Sequence, residues 1–508
     1  MKNYMLSIKN WIKKNPVEFY VLLAILVVGA FCRLYKIDAY MTFLGDEGRD
    51  VITVRRLLVE GHPPLIGPGT SIGNMYLGPL YYYFMAPALL VANFSPVGPA
   101  IEIAILGIIT IVFVWWVGRE WFGKVAGVTS AALYAVAPTI IVYSRSSWNP
   151  NIMPFFSLLT IYSVWRVWKF NQFKWLLVTG FAFAFVLQSH YLGLLLVPTI
   201  FIFWLFVLLR VWKERQQRIN LIRYSIFASI IFLLLMSPLL FFDIRHNWIN
   251  SRAIYKFFTE RQATVSIKPW NAIPVIPVIF AQISDSLISA KNVVVGVVVS
   301  VILAVFVGIL FIFRKRYLQN TNYYLLFLWL AFALIGLGLY KQQIYDHYFG
   351  FIFAAMFILL GACFQFLSSY KRVIPFLGVV FAGLIGVNVY NSPLKYPPNY
   401  QLKRAEDVAG KIEQEAGGRE FNVAVIAERN YPDGYKYFLI KNGDKVIDID
   451  AQVPSTITSQ LFVVCEKEQS KCNPVNAPQA EVANFGWSKI ENSWIVDGVT
   501  VYKLIHTK

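Results

Sequence analysis

Long apolar runs separated by short polar links dominate the chain from Val17 to Val389. Each run approaches the length of about 20 residues that an α-helix needs to cross a bilayer. The pattern predicts about eleven spanning helices, over residues 17–36, 97–118, 123–143, 150–168, 173–190, 191–211, 222–242, 292–313, 322–340, 347–368 and 373–390. Lysine and arginine collect in alternate links. Those links hold Arg119 and Lys124; Arg166, Lys169 and Lys174; Arg210, Lys213, Arg215, Arg218 and Arg223; Arg314, Lys315 and Arg316; and Lys371 and Arg372. The intervening short links carry chiefly Arg145 and Lys341. Basic residues are retained on the cytoplasmic side. The N-terminus, with Lys2, Lys9, Lys13 and Lys14, is therefore expected to be cytoplasmic, and its first apolar run to be a retained helix.

With that orientation three longer segments fall outside: 37–96, 243–291 and 391–508. In the first, Asp46 to Glu60 reads as a short helix with Val51, Val54, Leu57 and Leu58 on one face. Tyr81 to Val91 is apolar but too short to span, and both stretches fit helices at the membrane surface. Between them, the Gly- and Pro-rich run from Gly61 to Pro79 is expected to be irregular. The tail changes character. Gln401 to Ala416 reads as an amphipathic helix, and Phe421–Ala427 and Leu461–Cys465 as short strands. Trp494–Ile505 reads as a hairpin around Asp497-Gly498. The expected architecture is mainly α: a polytopic membrane domain over 1–390, with 37–96 as an elaborated outer loop, and a small extracytoplasmic α/β domain over 391–508.

Composition agrees with this layout: 57% of the 508 residues are hydrophobic and only 15% charged. The net charge of +18 could point to nucleic acid, but its confinement to helix links makes it a topological signal and excludes that partner. Four cysteines are present. Cys32 and Cys363 lie in apolar runs, whereas Cys465 and Cys472 lie in the tail, where an extracytoplasmic setting would allow a disulfide. No Cys/His spacing typical of a metal site occurs.

All five histidines fall on the expected outer side, as do most acidic residues that precede the tail. Asp46-Glu47 follows the first helix. A carboxylate there could serve as a general base, hold a divalent cation, or simply start a helix, where acidic residues favour the dipole. Arg145 ends an outer helix beside Trp148; it could bind a phosphate or snorkel at the interface. His190 could donate to a sugar or phosphate, or be a packed polar group with one hydrogen bond. Asp243, Arg245 and His246 follow the seventh helix, and Asp243–Arg245 could be no more than an ion pair. Asp346 and His347 could be an acid–base pair or a helix cap. Tyr81 and Tyr82 could line a sugar site or anchor at the headgroups.

Taken together, Asp46-Glu47 after the first helix, Gly78-Pro79-Leu80-Tyr81-Tyr82 in the first loop, Ser144-Arg145 and Gln188-Ser189-His190-Tyr191 resemble the GT-C glycosyltransferases of the protein O-mannosyltransferase and aminoarabinose transferase type. The resemblance covers the layout of residues 1–390. It implies a polyprenyl-phosphate sugar donor, a hydroxyl acceptor on protein, lipid or envelope glycan, and an active site at the outer face of the cell membrane. In the family the acidic residue matching Asp46 is the base, with Glu47 beside it, and the sugar configuration inverts. Arg145, Arg245, His246, Lys341 and His347 are then candidates to neutralise the leaving phosphate. Asn149 and Asn151 stand where aminoarabinose-type relatives often carry an acidic residue, so a second carboxylate ligand for a metal is missing. The rival expectation is a transporter or flippase of lipid-linked sugars. That would place polar groups near the bilayer midplane, often within a repeated half, and no repeat is visible here.

Overall fold

The computed structural model describes residues 10–507 apart from 71, 72, 74, 261–263 and 267. Lys2 and Lys9 of the basic N-terminal cluster lie outside the described residues, as does the side chain of Arg316. Each of the expected spans falls on helix. Among the described residues, eight helical stretches are long and apolar enough to cross a membrane: Pro16–Leu34, Val97–Phe122, Tyr191–Val211, Arg215–Arg245, Val293–Ile312, Asn322–Leu339, Asp346–Ser368 and Lys371–Tyr390. The other expected spans are shorter or interrupted. Lys124–Val136 stops at Ala137 because Pro138, which lacks an N–H, starts a new helix, Pro138–Tyr143. Met153–Phe170 follows a 3-10 turn that contains Pro150, and Trp175–Ser189 ends at His190. The chain is thus a polytopic helical membrane protein.

Asp346–Ser368 is the central helix, and most of it is buried inside the protein. Phe351, Phe353 and Phe357 are fully enclosed along it. The segment 243–291, expected as a loop, contains two further helices, Ile249–Thr259 and Ile276–Ile288. Pro269 and Pro277 each sit in the first turn of a helical segment. Pro277 occupies the first turn of Ile276–Ile288, where a missing N–H costs nothing.

In the first loop, Gly45–Arg55 is helical and widens into a π turn over Arg56–Glu60 before Gly61 reverses the chain. Val51 and Val54 are buried in protein, and Leu57 and Leu58 are half-buried. The irregular stretch that follows is pinned by a bridge between Gly69 and Tyr76. Leu80–Val91 then packs inward through Tyr81, Tyr82, Met85 and Leu89.

Beyond residue 390, Gln401–Ala416 buries one stripe made of Leu402, Ala405, Val408, Ala409 and Ile412, the spacing of an amphipathic helix. It accompanies a four-stranded sheet of β1 (Asn422–Ile426), β2 (Gln460–Cys465), β3 (Ser488–Val496) and β4 (Val499–His506), in spatial order β1-β2-β4-β3. β1 and β2 are parallel and the other pairs antiparallel. The β3–β4 turn places Asp497 and Gly498 at φ of 43° and 81°, as a tight hairpin requires. Cys465 and Cys472 form a disulfide at the end of β2. The helix Asp433–Asn442, between β1 and β2, packs directly on Gly45–Arg55 of the first loop.

Candidate functional site

The helix Gly45–Arg55 presents its first turn to a cavity of about 280 Å³. Asp46 and Glu47 line it together with Tyr143 and Trp148, and the C-terminal region adds Arg429 and Tyr431. Asp46 remains partly exposed, whereas Glu47 and Asp50 are buried. Helical spacing puts Arg49 one turn after Asp46, and its guanidinium bonds Asp46 Oδ1 at 2.7 Å and Asp50 Oδ1 at 2.7 Å. The Tyr431 hydroxyl donates to the same Asp46 oxygen. No described protein group donates to Asp46 Oδ2.

Glu47 does different work. Its carboxylate accepts the Leu44 N–H at 3.0 Å and so closes the start of the helix. Burial pushes its carboxyl up to about 7; the Leu44 N–H opposes that rise, and the neighbouring Asp46 and Asp50 charges add to it. Burial likewise raises Asp50 to about 6, against the pull of Arg49. Tyr82 lies within hydrogen-bonding reach of Arg49 and Asp50, and burial holds its phenol well above the usual range. Tyr81 is enclosed and shares a 2.6 Å hydrogen bond with Ser147. Both tyrosines are therefore buried within the protein, Tyr82 against the acidic helix and Tyr81 against Ser147.

A second, apolar cavity of about 210 Å³ is lined by Leu77, Leu195, Phe257, Leu339 and Tyr348, among others, with His190 at its edge. His347 lies between the two cavities. Its ring is 4.7 Å from Trp148 and 6.3 Å from Tyr143 on the Asp46 side. On the other side it is 4.6 Å from Tyr348 and 6.1 Å from His190. His190 Nδ1 accepts the Leu192 N–H at 3.2 Å, which fixes the ring at the start of the 3-10 turn Tyr191–Leu196. Lys341 follows Tyr340, which lines the apolar cavity, and its backbone N–H bonds the Thr264 carbonyl at 2.8 Å. Asp346 forms an ion pair with Lys291 at 2.8 Å and not with His347.

The remaining sequence candidates are placed elsewhere. Arg145 is buried and holds the end of the first helix, donating to the carbonyls of Cys32 at 3.0 Å and Tyr35 at 2.7 Å while lying over the Tyr40 ring. Asp243 does not pair with Arg245. It caps the helix Ile249–Thr259 through the N–H groups of Asn250 and Ser251, at 2.8 and 3.0 Å. Arg245 and His246 are exposed and rest on Phe241 and Phe242. Among the described residues no cluster of three His, Cys, Asp or Glu side chains could hold a metal ion.

The sequence reading missed Arg49, Arg429 and Tyr431. Arg49 was visible at helical spacing from Asp46. The other two lie hundreds of residues away, and nothing local marks them.

Residues 77–242 match the model of the dolichyl-phosphate-mannose-protein mannosyltransferase family. None of the curated proteins matches. Among solved structures, the chain is similar to ArnT from Cupriavidus metallidurans bound to undecaprenyl phosphate, with 11% identity, a TM-score of 0.60, and coverage of 96% of this chain and 98% of that one. It is also similar to the archaeal oligosaccharyltransferase AglB from Archaeoglobus fulgidus in complex with an inhibitory peptide and a dolichol-phosphate. There the identity is 12% and the TM-score 0.54, over 97% of this chain and 74% of that one. At such identities the likeness is one of fold. The chain is therefore a polytopic membrane protein of the GT-C glycosyltransferase fold, and its residues 77–242 match the dolichyl-phosphate-mannose-protein mannosyltransferase family.

Proposed function

We propose that this protein is an inverting glycosyltransferase that moves a sugar, a hexose in the simplest case, from a polyprenyl-phosphate donor to a hydroxyl acceptor. The observation that carries the reading is the arrangement of two unlike cavities on either side of His347. One holds a carboxylate with an oxygen to spare, and the other is lined by apolar side chains. A polyprenyl chain fits the apolar cavity, with its phosphate directed at His190, His347 and Lys341. The sugar then lies toward Tyr143 and Trp148, whose rings stack at 6.4 Å and offer an aromatic platform. The acceptor hydroxyl attacks the anomeric carbon from the Asp46 side. Its oxygen forms the new bond, its proton passes to Asp46 Oδ2, and the bond from carbon to phosphate oxygen breaks. The leaving phosphate gains charge and is met by hydrogen bonds from the histidines and by Lys341. Attack opposite the leaving group inverts the anomeric centre.

The ArnT and AglB structures hold undecaprenyl phosphate and dolichol-phosphate respectively, which supports a lipid-phosphate donor here. The basic links support a cytoplasmic N-terminus, and with it a site at the outer face of the cell membrane. In this reading residues 1–390 form the transferase domain, and residues 391–508 an extracytoplasmic domain that closes over the acidic helix.

The test is transfer of labelled sugar from synthetic polyprenyl-phosphate donors in proteoliposomes, with envelope extract as acceptor. Wild type is expected to transfer, and folded Asp46→Asn to lose at least about 100-fold in rate, the usual worth of a general base. Equal transfer by both removes Asp46 as the base. Movement of labelled lipid across the bilayer without any transfer makes the protein a flippase instead.

A further inference from the structure

A groove runs along the outside of the helix bundle, between the first helix, Pro16–Leu34, and the last, Ile374–Tyr390. Its floor is Lys124–Val136, where Ala132 and Ala135 present only methyl groups. Val21 and Val28 stand on one wall, Phe381 and Val389 on the other. This apolar part encloses about 360 Å³. At 1.5 Å per residue, the floor from Val128 to Val136 is about 12 Å long, comparable to much of an extended fatty-acyl chain.

One end of the groove is polar. Val21, Val128 and Phe381 continue into a second chamber of about 480 Å³, lined also by Lys14, Asn15, Glu18 and Lys124. Glu18 Oε1 takes Arg119 at 2.6 Å and the Trp115 indole N–H at 3.3 Å, and among the described residues its buried Oε2 has no partner. Lys124 bonds the neutral Asn15 Oδ1 at 2.6 Å, and no described acidic group pairs with Lys14 or Lys124. Among the described residues the chamber therefore has two cations, Lys14 and Lys124, in no ion pair, at the mouth of a chain-shaped apolar slot whose charged neighbour Glu18 is held by Arg119.

We propose that this groove is a binding site for an anionic phospholipid, with one acyl chain along the Ala132–Ala135 floor and the phosphate between Lys14 and Lys124. A free phosphate would gain nothing from the slot, and a neutral lipid nothing from the lysines. The site is distinct from the Asp46 cavity and does not depend on the function proposed for it.

The test is native mass spectrometry of the full chain in delipidating detergent, titrated with phosphatidylglycerol and with diacylglycerol of the same acyl chains. One phosphatidylglycerol should bind at least about ten-fold more tightly than diacylglycerol. Lys14→Gln/Lys124→Gln should erase that preference, and Ala132→Phe, which fills the floor but keeps both lysines, should weaken both lipids. Equal retention by wild type and the lysine double variant overturns the proposal, even if Ala132→Phe fails to fold. So does a lipid-independent dimer that Ala132→Phe abolishes, because the groove would then hold a second copy of the chain.

A separate observation concerns Asp46. Tyr431 and Arg49 converge on one of its oxygens from two distant parts of the chain. Asn430, next to Tyr431, accepts the Gly45 N–H at 2.8 Å and so joins the same loop to the start of the helix. Resting on the transfer function proposed above, we infer that Tyr431 is a positioning residue, which holds Oδ1 so that Oδ2 faces the acceptor. Loss of that hydrogen bond should cost kcat about ten-fold, as removal of one bond to a charged group does. Tyr431→Phe should show that loss with an unchanged KM for the synthetic polyprenyl-phosphate donor. If wild type transfers sugar and Tyr431→Phe matches it, or if only KM moves, Tyr431 is not a positioning residue. If wild type transfers no sugar, the transferase reading itself fails.

Discussion

Gly48 makes a prediction whose sign is opposite to what local propensity gives. It lies inside the helix Gly45–Arg55, where alanine is favoured over glycine by about 1 kcal/mol. In the fold, however, a Cβ at this position would stand 2.3 Å from the Asp433 carbonyl carbon and 2.3 Å from the Gly434 nitrogen. Carbon atoms in contact settle at about 3.5–4 Å, so Gly48→Ala must drive two backbones apart by about 1 Å. Overpacking of that kind costs about 1–3 kcal/mol. The separation also strains the 2.8 Å bond from Gly45 to Asn430 and the bond between Tyr431 and Asp46, worth about 1–3 kcal/mol each when broken. The net expectation, with both bonds lost, is a loss of about 2–8 kcal/mol in the docking of the C-terminal region, after the gain in helix propensity. Gly410 is the control. It lies in the helix Gln401–Ala416, and a Cβ there meets nothing within 4 Å, so Gly410→Ala should stabilise by up to about 1 kcal/mol. Thermal shift in detergent, paired with limited proteolysis of the region after residue 390, reads both. Gly48→Ala should melt earlier and be cut faster, whereas Gly410→Ala should do neither. A rise in melting temperature for both variants would refute the close approach.

Glu47 should make stability depend on pH. Burial raises its carboxyl from an ordinary 4.5 to about 7, so its contribution is fully present below about pH 4.5 and is lost as pH rises through 7. Glu47→Gln should flatten the melting temperature across that window. Arg145 supports two carbonyls with separate guanidinium nitrogens, and a lysine ammonium cannot reproduce that fork; Arg145→Lys should therefore lower the melting temperature although charge is retained, and an unchanged melting curve would show that the fork adds nothing. The disulfide between Cys465 and Cys472 closes a short loop at the end of β2, worth about 2 kcal/mol by loop-closure entropy. Reduction should make the C-terminal region more sensitive to protease while leaving the helical content of the membrane part unchanged.

Much of the architecture was legible because it depends on local, periodic signals. An apolar run of bilayer length has few alternatives to a helix, and the helices Pro16–Leu34, Val97–Phe122 and Val293–Ile312 fall within a few residues of their expected limits. The amphipathic stripe of Gln401–Ala416 and the Asp497-Gly498 turn were equally local. Asp46 and Glu47 stood out through their place after the first helix, which the resemblance to the GT-C glycosyltransferases made a candidate catalytic position. The helices within 243–291 were not predicted, because Ile249–Thr259 and Ile276–Ile288 are both too short to show as spanning runs.

The sequence by itself determined which long apolar segments are helical and where the charged links between them lie. These follow from the cost of placing unpaired backbone groups and charges in hydrocarbon, which each segment faces alone. Tertiary structure decided which of those polar groups meet. It buried Arg145 among carbonyls of the first helix, used Asp243 as a helix cap, and set His347 between the two cavities. It also brought Tyr431 to Asp46 across most of the chain. Such pairings depend on how whole helices and the C-terminal sheet pack, and no local pattern encodes the distance between residues that are remote in the chain.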